Sequence, residues 1–182
     1  MNVTILTLVG TFFIALIGYI VKYLHDLTLQ RRRDNLTYLE KQIGEFYGPL
    51  FILGNVGMIS FNALIKRLKK EDDRHLLKDL TKEEKRIWRL WVQNVFMPNN
   101  LEMENIIKDK AYLIKEDVIP SCFIEFATHV ADYKVVVAKW KEEDYSDLFA
   151  IIDFPDELLK YISIRFAELR KEQMYLIRKT QK

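Results

Sequence analysis

Residues 1–21 read MNVTILTLVGTFFIALIGYIV, and this stretch decides how the rest of the chain is interpreted. No charged side chain lies between Val3 and Val21. At a rise of about 1.5 Å per residue, an α-helix over this stretch is roughly 28 Å long. The hydrocarbon core of a bilayer is about 30 Å thick. The sequence therefore predicts a transmembrane helix over residues 1–22.

A cleavable secretory signal is the competing interpretation of this stretch. Such a signal has a positively charged start, a shorter apolar core and a cleavage site of small residues. Here no Lys or Arg precedes the apolar residues, and Lys22-Tyr23-Leu24-His25 follows them. We therefore expect the segment to stay on the protein.

One face of the predicted helix carries small and hydroxyl side chains. At about 100° per residue, six residues fall within a sector of about 80°: Thr4, Thr7, Thr11, Ala15, Gly18 and Lys22. Small residues let membrane helices approach closely, and hydroxyl groups hydrogen-bond across the contact. The stripe predicts a homo-oligomer in which this face packs against other copies or lines a pore. The alternative is that Thr and Gly are simply common in membrane helices.

The basic residues near this helix predict its orientation. Lys22 and the cluster Arg31-Arg32-Arg33 follow the apolar stretch, and no basic side chain precedes it. The positive-inside rule then places the N-terminus outside and the rest of the chain in the cytoplasm. We interpret the Arg cluster as a contact with lipid headgroups. A nucleic-acid site would be expected to interleave aromatic residues for base stacking, and none lies there.

The composition predicts an all-α protein. The chain has 182 residues with a net charge of +2, so no overall electrostatic drive toward nucleic acid is evident. Cys122 is its one cysteine, which excludes an intrachain disulfide and suits a reducing compartment. Apolar residues recur at helical spacing. We expect a transmembrane helix (1–22), a juxtamembrane helix (23–48) and a cytoplasmic helical bundle (49–182).

An apolar seam runs along the juxtamembrane helix. It consists of Leu36, Leu39, Ile43 and Phe46, which recur at steps of three and four residues. This spacing predicts packing against another helix, either in the bundle or in a neighbouring copy. Gly48-Pro49 is expected to break the helix, because proline lacks an amide hydrogen and its predecessor avoids helical dihedral angles.

The bundle helices are predicted from apolar spacing, caps and prolines. Thr81 and Glu84 form a capping box. The segment between Glu142 and Asp153 has no clear periodicity. The first two expected helices span residues 49–70 and the stretch from Thr81 to just before Pro98. The third begins at a cap, Asn99 or Asn100, and ends at about Lys115. The last two span residues 122–141 and the stretch from Phe154-Pro155 onward.

Motifs of known chemistry are missing from the sequence. It contains no phosphate-binding glycine loop, no HExxH, no paired cysteine ligands and no nucleophile elbow. Glu125, His129 and Asp132 can share one helix face, which would suit a metal or acid–base site. A histidine hydrogen-bonded inside a bundle is the commoner explanation. We therefore predict no metal, no cofactor and no catalytic residue.

Three motifs, taken with the N-terminal helix, resemble a known family. They are Tyr47-Gly48-Pro49-Leu50, residues 88–100 (WRLWVQNVFMPNN) and residues 122–133 (CFIEFATHVADY). The family is the membrane accessory proteins of type VI-B CRISPR systems, which support an RNA-guided, RNA-cleaving effector nuclease. The resemblance covers essentially the whole chain.

The resemblance implies a fold, a role and partners. The cytoplasmic domain would be related to HEPN domains. Copies would form a ring-shaped homo-oligomer, an octamer being one option, as a pore in the bacterial inner membrane. The pore would depolarise infected cells once the effector nuclease has detected phage RNA. Direct contact with the effector or with nucleic acid is left open.

The chain departs from the HEPN ribonuclease motif, which is Arg, then four to six residues, then His. No Arg stands at that distance before His25, His75 or His129. Arg89 is followed at the matching distance by Asn94, so Arg89, Asn94 and His129 are degenerate HEPN positions at most. We therefore expect a non-enzyme. The alternatives are a membrane-tethered HEPN-type ribonuclease and a non-conducting membrane scaffold.

Overall fold

The computed structural model describes residues 2–68 and 80–180, with side chains described for 10–68 and 80–179. All regular secondary structure in these ranges is helical, which confirms the all-α prediction. The helices are α1 (Asn2–Lys41), α2 (Gly48–Arg67), α3 (Lys82–Trp91), α4 (Met97–Lys110), α5 (Ser121–Lys141) and α6 (Asp156–Thr180). The chain divides into two compact units, Met1–Glu40 and Lys41–Lys182.

In the first unit, the described apolar side chains of the N-terminal part of α1 are open to solvent. Every residue from Gly10 to Asp26 is exposed. Among the described residues, one helix is long and apolar enough to cross a membrane, and it lies near the N-terminus. This agrees with the predicted long apolar helix at that end of the chain.

The second unit is a bundle in which α2 and α5 each pack against α4 and α6. Its centre holds edge-to-face aromatic contacts: the Phe46 ring lies 5.7 Å from that of Phe123, which lies 5.5 Å from that of Tyr161. A second cluster surrounds Trp88, whose ring lies 5.2 Å from Phe149. Edge-to-face aromatic pairs add to the stabilisation from burial. The first cluster joins α5 to α6, and the second joins α3 to the segment before α6.

The predicted break at Gly48-Pro49 is wrong. A π-helical segment, Gln42–Tyr47, joins α1 to α2, and the backbone stays helical through Pro49. The Gly48 amide donates to the carbonyl of Ile43, five residues back. A π turn contains an extra residue, which offsets the carbonyl that would otherwise clash with the proline ring. Proline then stands in the first turn of α2, where its missing amide hydrogen costs nothing.

The same arrangement corrects the predicted helix end before Pro98. A second π segment, Val92–Phe96, continues α3 into α4, and the Met97 amide donates to the carbonyl of Val92. Asn99 and Asn100 therefore lie inside α4 and are not caps. Helix α4 ends at Lys110, earlier than predicted, because a 3-10 turn (Ala111–Leu113) follows.

Other local predictions are confirmed. The capping box is present: the Glu84 amide donates to Thr81 Oγ1 at 3.3 Å, and the Thr81 amide donates to Glu84 Oε2 at 2.7 Å. Helices α5 and α6 lie within a few residues of their predicted positions, and the segment between them is irregular. Helix α2 begins one residue before its predicted start and ends at Arg67, and residues 69 and 70 of the predicted 49–70 helix lie outside the described residues.

Candidate functional site: the N-terminal helix face and a clamped loop

The small-residue stripe lies on an open face of α1. Thr11, Ala15, Gly18 and Lys22 recur at steps of four, three and four residues, and all four are exposed. A Cβ atom built at Gly18 would have no heavy atom within 4 Å. For Thr4 and Thr7 the structure describes the helix but not the side chains. The part of the stripe that is described is therefore accessible to another helix or to water.

The remaining faces of the same helix are large and apolar. Phe12, Phe13, Leu16, Ile17 and Ile20 are between 41% and 67% exposed. Contiguous apolar surface on a soluble monomer rarely extends so far. Burial of apolar surface stabilises by about 25 cal/mol per Å². This helix therefore gains strongly from contact with lipid or with other helices.

Basic side chains follow this apolar stretch along α1. Lys22 is exposed, and so are Arg31, Arg32 and Arg33 two to three turns further along α1. Long basic side chains at the end of an apolar helix extend toward the headgroup layer. Their positions suit a helix that leaves a bilayer near residue 22.

The seam residues differ in burial. Leu39 is buried and Leu36 is half-buried. Phe46 is fully buried, in contact with Tyr47 and Phe123 of the second unit, while Ile43 is half-buried. The Phe46 end of the seam therefore belongs to the core of the bundle, so it is not available to a neighbouring copy.

His129 is buried and holds the backbone of the segment before α6. Its Nδ1 lies 2.6 Å from the carbonyl oxygen of Ile152. A carbonyl only accepts, so Nδ1 carries the hydrogen and donates it. Burial lowers the pKa of His129, and this effect outweighs the hydrogen bond and the nearby carboxylates of Asp132 and Asp153, which raise it. The imidazole is therefore placed as a structural donor.

Asp132 holds the same segment one turn further along α5. Its Oδ2 accepts hydrogen bonds from the amides of Ile151 and Ile152, at 2.6 and 2.9 Å. Glu125, which shares this helix face in sequence, is exposed. Within the described residues, no group of three or more His, Cys, Asp or Glu side chains is placed to hold a metal ion. The three side chains therefore anchor a loop or face solvent.

Arg89 and Asn94 are engaged elsewhere. The Arg89 guanidinium lies over the Tyr145 ring, 4.3 Å from its centroid. Asn94 is exposed, and its Nδ2 donates to the carbonyl of Leu90 one turn back, at 2.7 Å. Of these two residues and His129, Arg89 and His129 thus both contact residues 142–155, which we call the clamped loop. His75 lies outside the described residues.

Two tryptophans also hold the clamped loop, and this role was not predicted from the sequence. We call these tryptophans, together with His129 and Asp132, the clamp. Trp140 Nε1 donates to the carbonyl of Asp147 at 2.7 Å, and Trp88 Nε1 donates to that of Leu148 at 3.2 Å. Lys139 pairs with the Asp147 carboxylate at 2.5 Å. The available signal was chemical, because a buried indole N–H requires an acceptor. The irregular segment after α5 is the nearest source of free carbonyl groups.

No protein-family model, curated protein or solved structure matches this chain.

Proposed function

We propose that this chain is a homo-oligomeric membrane pore protein. The observation that carries the proposal is the open apolar surface of α1, which continues for about three turns from Gly10 to Val21. Its length and composition suit a bilayer. Lys22 and the Arg cluster then favour an N-terminus outside and a bundle in the cytoplasm of a bacterium, at its inner membrane.

The small-residue stripe favours assembly over simple anchoring. A lipid anchor needs only apolar surface, whereas Thr11, Ala15 and Gly18 provide a narrow face on which helices approach closely. In a ring of copies the same face borders the central axis, where hydroxyl groups and Lys22 tolerate water. The stripe thus suits both close packing between copies and contact with water in a pore.

The biological setting we propose rests on the resemblance of the chain to the type VI-B CRISPR accessory proteins. In that setting the pore depolarises infected cells and so enhances the antiphage defence of an RNA-guided, RNA-cleaving effector. The bundle would be a divergent HEPN-like domain. Its role would be to assemble and gate the ring, with the effector as a functional partner.

The contacts of the degenerate HEPN positions favour a non-catalytic bundle. His129 donates to a backbone carbonyl, Arg89 covers Tyr145, and Asn94 lies exposed on α3's continuation. A HEPN-type ribonuclease would need an Arg and a His that converge on an RNA phosphate. His129 and Arg89 instead contact the clamped loop, and Asn94 donates to the carbonyl of Leu90.

The test compares ion flux with RNA cleavage in the same preparation. The full chain is reconstituted into liposomes that hold a potassium gradient and a potential-sensitive dye. We expect dye response with protein and none with empty liposomes, and no cleavage of single-stranded RNA. Cleavage that is lost in Arg89→Ala would support the ribonuclease instead. Neither flux nor cleavage would support the scaffold.

A further inference from the structure

Helix α6 carries opposite charges at its two ends. Residues 142–157, which comprise the clamped loop and the first two residues of α6, contain seven acidic side chains and no basic one. We call this the acidic end. Residues 170–179, in the last turns of α6, contain four basic side chains and one acidic one. We call this the basic end. Helix α6 itself spans 25 residues, Asp156–Thr180.

The two ends are too far apart to neutralise each other within one copy. At about 1.5 Å per residue, the basic side chains of the basic end lie about 21 to 35 Å along the helix from Asp156. The Debye length at physiological ionic strength is about 8 Å. Attraction along the helix is therefore screened. Asp147 and Glu157 pair with Lys139 and Lys160 within the copy, and the acidic end keeps an excess of acidic side chains for a contact outside this copy.

Both ends also present apolar side chains to solvent. At the acidic end, Ile151 is 92% exposed and Tyr145 is 53% exposed. At the basic end, Tyr175 is 61% and Met174 is 42% exposed. An exposed apolar centre with a charged rim is the usual composition of a protein interface. Each end therefore offers burial as well as charge.

The acidic end is held in one conformation. Asp132 binds the amides of Ile151 and Ile152, and Trp140 binds the carbonyl of Asp147. A loop that is ordered before binding loses little further conformational entropy in the complex. The clamp therefore prepares Ile151 and its acidic surroundings for docking.

We propose that the acidic end of one copy docks on the basic end of the next copy. The two surfaces differ, so the contact is head-to-tail, and such contacts form rings when the rotation closes. This inference rests on the proposed function, because a shared membrane helix gives all copies one orientation in a plane. The clamped loop and the last turns of α6 thus form the cytoplasmic interface of the ring.

The test is a charge swap in the full chain, purified in detergent. Variant L carries Glu142→Lys and Glu143→Lys, and variant T carries Arg178→Glu and Lys179→Glu. These side chains are exposed and lie outside the ion pairs Lys139–Asp147 and Lys160–Glu157. Light scattering after size exclusion measures the mass of each variant, of an L and T mixture, and of the combined L/T chain. Circular dichroism checks that each variant remains helical.

We expect L and T alone to dissociate, with the dissociation constant raised at least about tenfold by like charges facing each other. The mixture and the combined chain should reassemble, because both restore opposite charges. Added salt should weaken wild-type assembly. Ile151→Ser should also weaken assembly, but without a change in salt dependence.

Oligomers of L and T that match wild type in mass would overturn the head-to-tail contact and leave the pore proposal standing. A T variant that stays oligomeric but no longer binds anionic vesicles would assign the basic end to lipid headgroups. Wild-type protein that is monomeric in detergent and in liposomes would overturn the homo-oligomeric pore, and this inference with it. Failure of the combined chain to reassemble would mean that the two ends do not face each other.

Discussion

His129 Nδ1 donates a hydrogen bond to the carbonyl oxygen of Ile152 at 2.6 Å, and this bond joins the middle of α5 to the clamped loop. The Tyr133 and Phe154 rings lie edge-on to the imidazole, at 5.1 and 5.6 Å. The His129 imidazole, which the sequence suggests as a catalytic or metal-binding group, is thus buried and has a structural role.

The stability of the bundle should fall on mild acidification because of His129. Burial holds its folded-state pKa below the ordinary value of about 6.5. The unfolded state then binds more protons, so stability is full above that value and is lost as the pH falls from it toward the folded-state pKa. Urea unfolding of the full chain at pH 7.5 and at lower pH measures this loss.

His129→Gln is the matched variant for the pH series, since its amide can still donate to Ile152. It should show a smaller slope of stability between pH 7 and pH 5. It should also be less stable than wild type at pH 7.5, by about 1 to 2 kcal/mol for a weakened hydrogen bond. An unchanged slope would show that His129 does not titrate between the folded and unfolded states.

Asp132→Ala should loosen the clamped loop without unfolding the bundle. It removes the acceptor of two amide hydrogen bonds, and bonds to a charged group contribute about 1.5 to 3 kcal/mol each before discount for exposure. Limited proteolysis should cut within 142–155 faster than in wild type. Glu125→Ala is the control, because Glu125 is an exposed carboxylate on the same helix. Equal cutting rates in the two variants would remove Asp132 from the clamp.

Two glycines in and after the first π segment should respond oppositely to alanine. A Cβ at Gly48 would lie 2.4 Å from the carbonyl oxygen of Ile43. Gly48→Ala therefore forces the backbone of the first π segment to move. Overpacking of this kind costs about 1 to 3 kcal/mol. A Cβ at Gly44 meets nothing within 4 Å. Gly44→Ala should then be neutral or stabilising by up to about 1 kcal/mol.

Thermal unfolding of the two alanine variants, monitored by circular dichroism in the same detergent, makes the comparison. We expect a lower midpoint for Gly48→Ala and an equal or higher one for Gly44→Ala. Equal midpoints would mean that the π segment does not need glycine to pass Pro49.

The sequence predicted the positions of the helices well, but it wrongly predicted that helices end at Pro49 and before Pro98. Apolar spacing and the Thr81–Glu84 capping box are local signals, so α3, α5 and α6 could be predicted from neighbouring residues alone. Pro49 and Pro98 were expected to end helices because an α-helix has no room for the ring. The π segments that make this room have no known local signature, and they depend on packing in the folded bundle.

The sequence likewise predicted only part of the candidate site. The open apolar surface of α1 follows from composition, since no charged side chain lies between Val3 and Val21. The clamp could not be predicted from composition or local pattern, because it joins α5 to residues about 20 positions further along the chain. His129 and Asp132 share a helix face in sequence, which suggests a site. Only the fold shows that a loop occupies this face.

Conductance in one membrane, compared for wild type, Thr11→Lys and Phe13→Lys, tests the pore proposal directly. Thr11 lies on the small-residue stripe, and Phe13 lies on the large apolar face of α1. If the stripe faces water in a pore, Lys at position 11 stays hydrated, inserts, and changes conductance or ion preference. Lys at position 13 meets lipid or packed helices and costs about 2.5 to 3.5 kcal/mol on insertion. We therefore expect wild type to conduct, Thr11→Lys to conduct with altered selectivity, and Phe13→Lys to insert poorly. No wild-type current, or equal tolerance of both lysines, would contradict the pore.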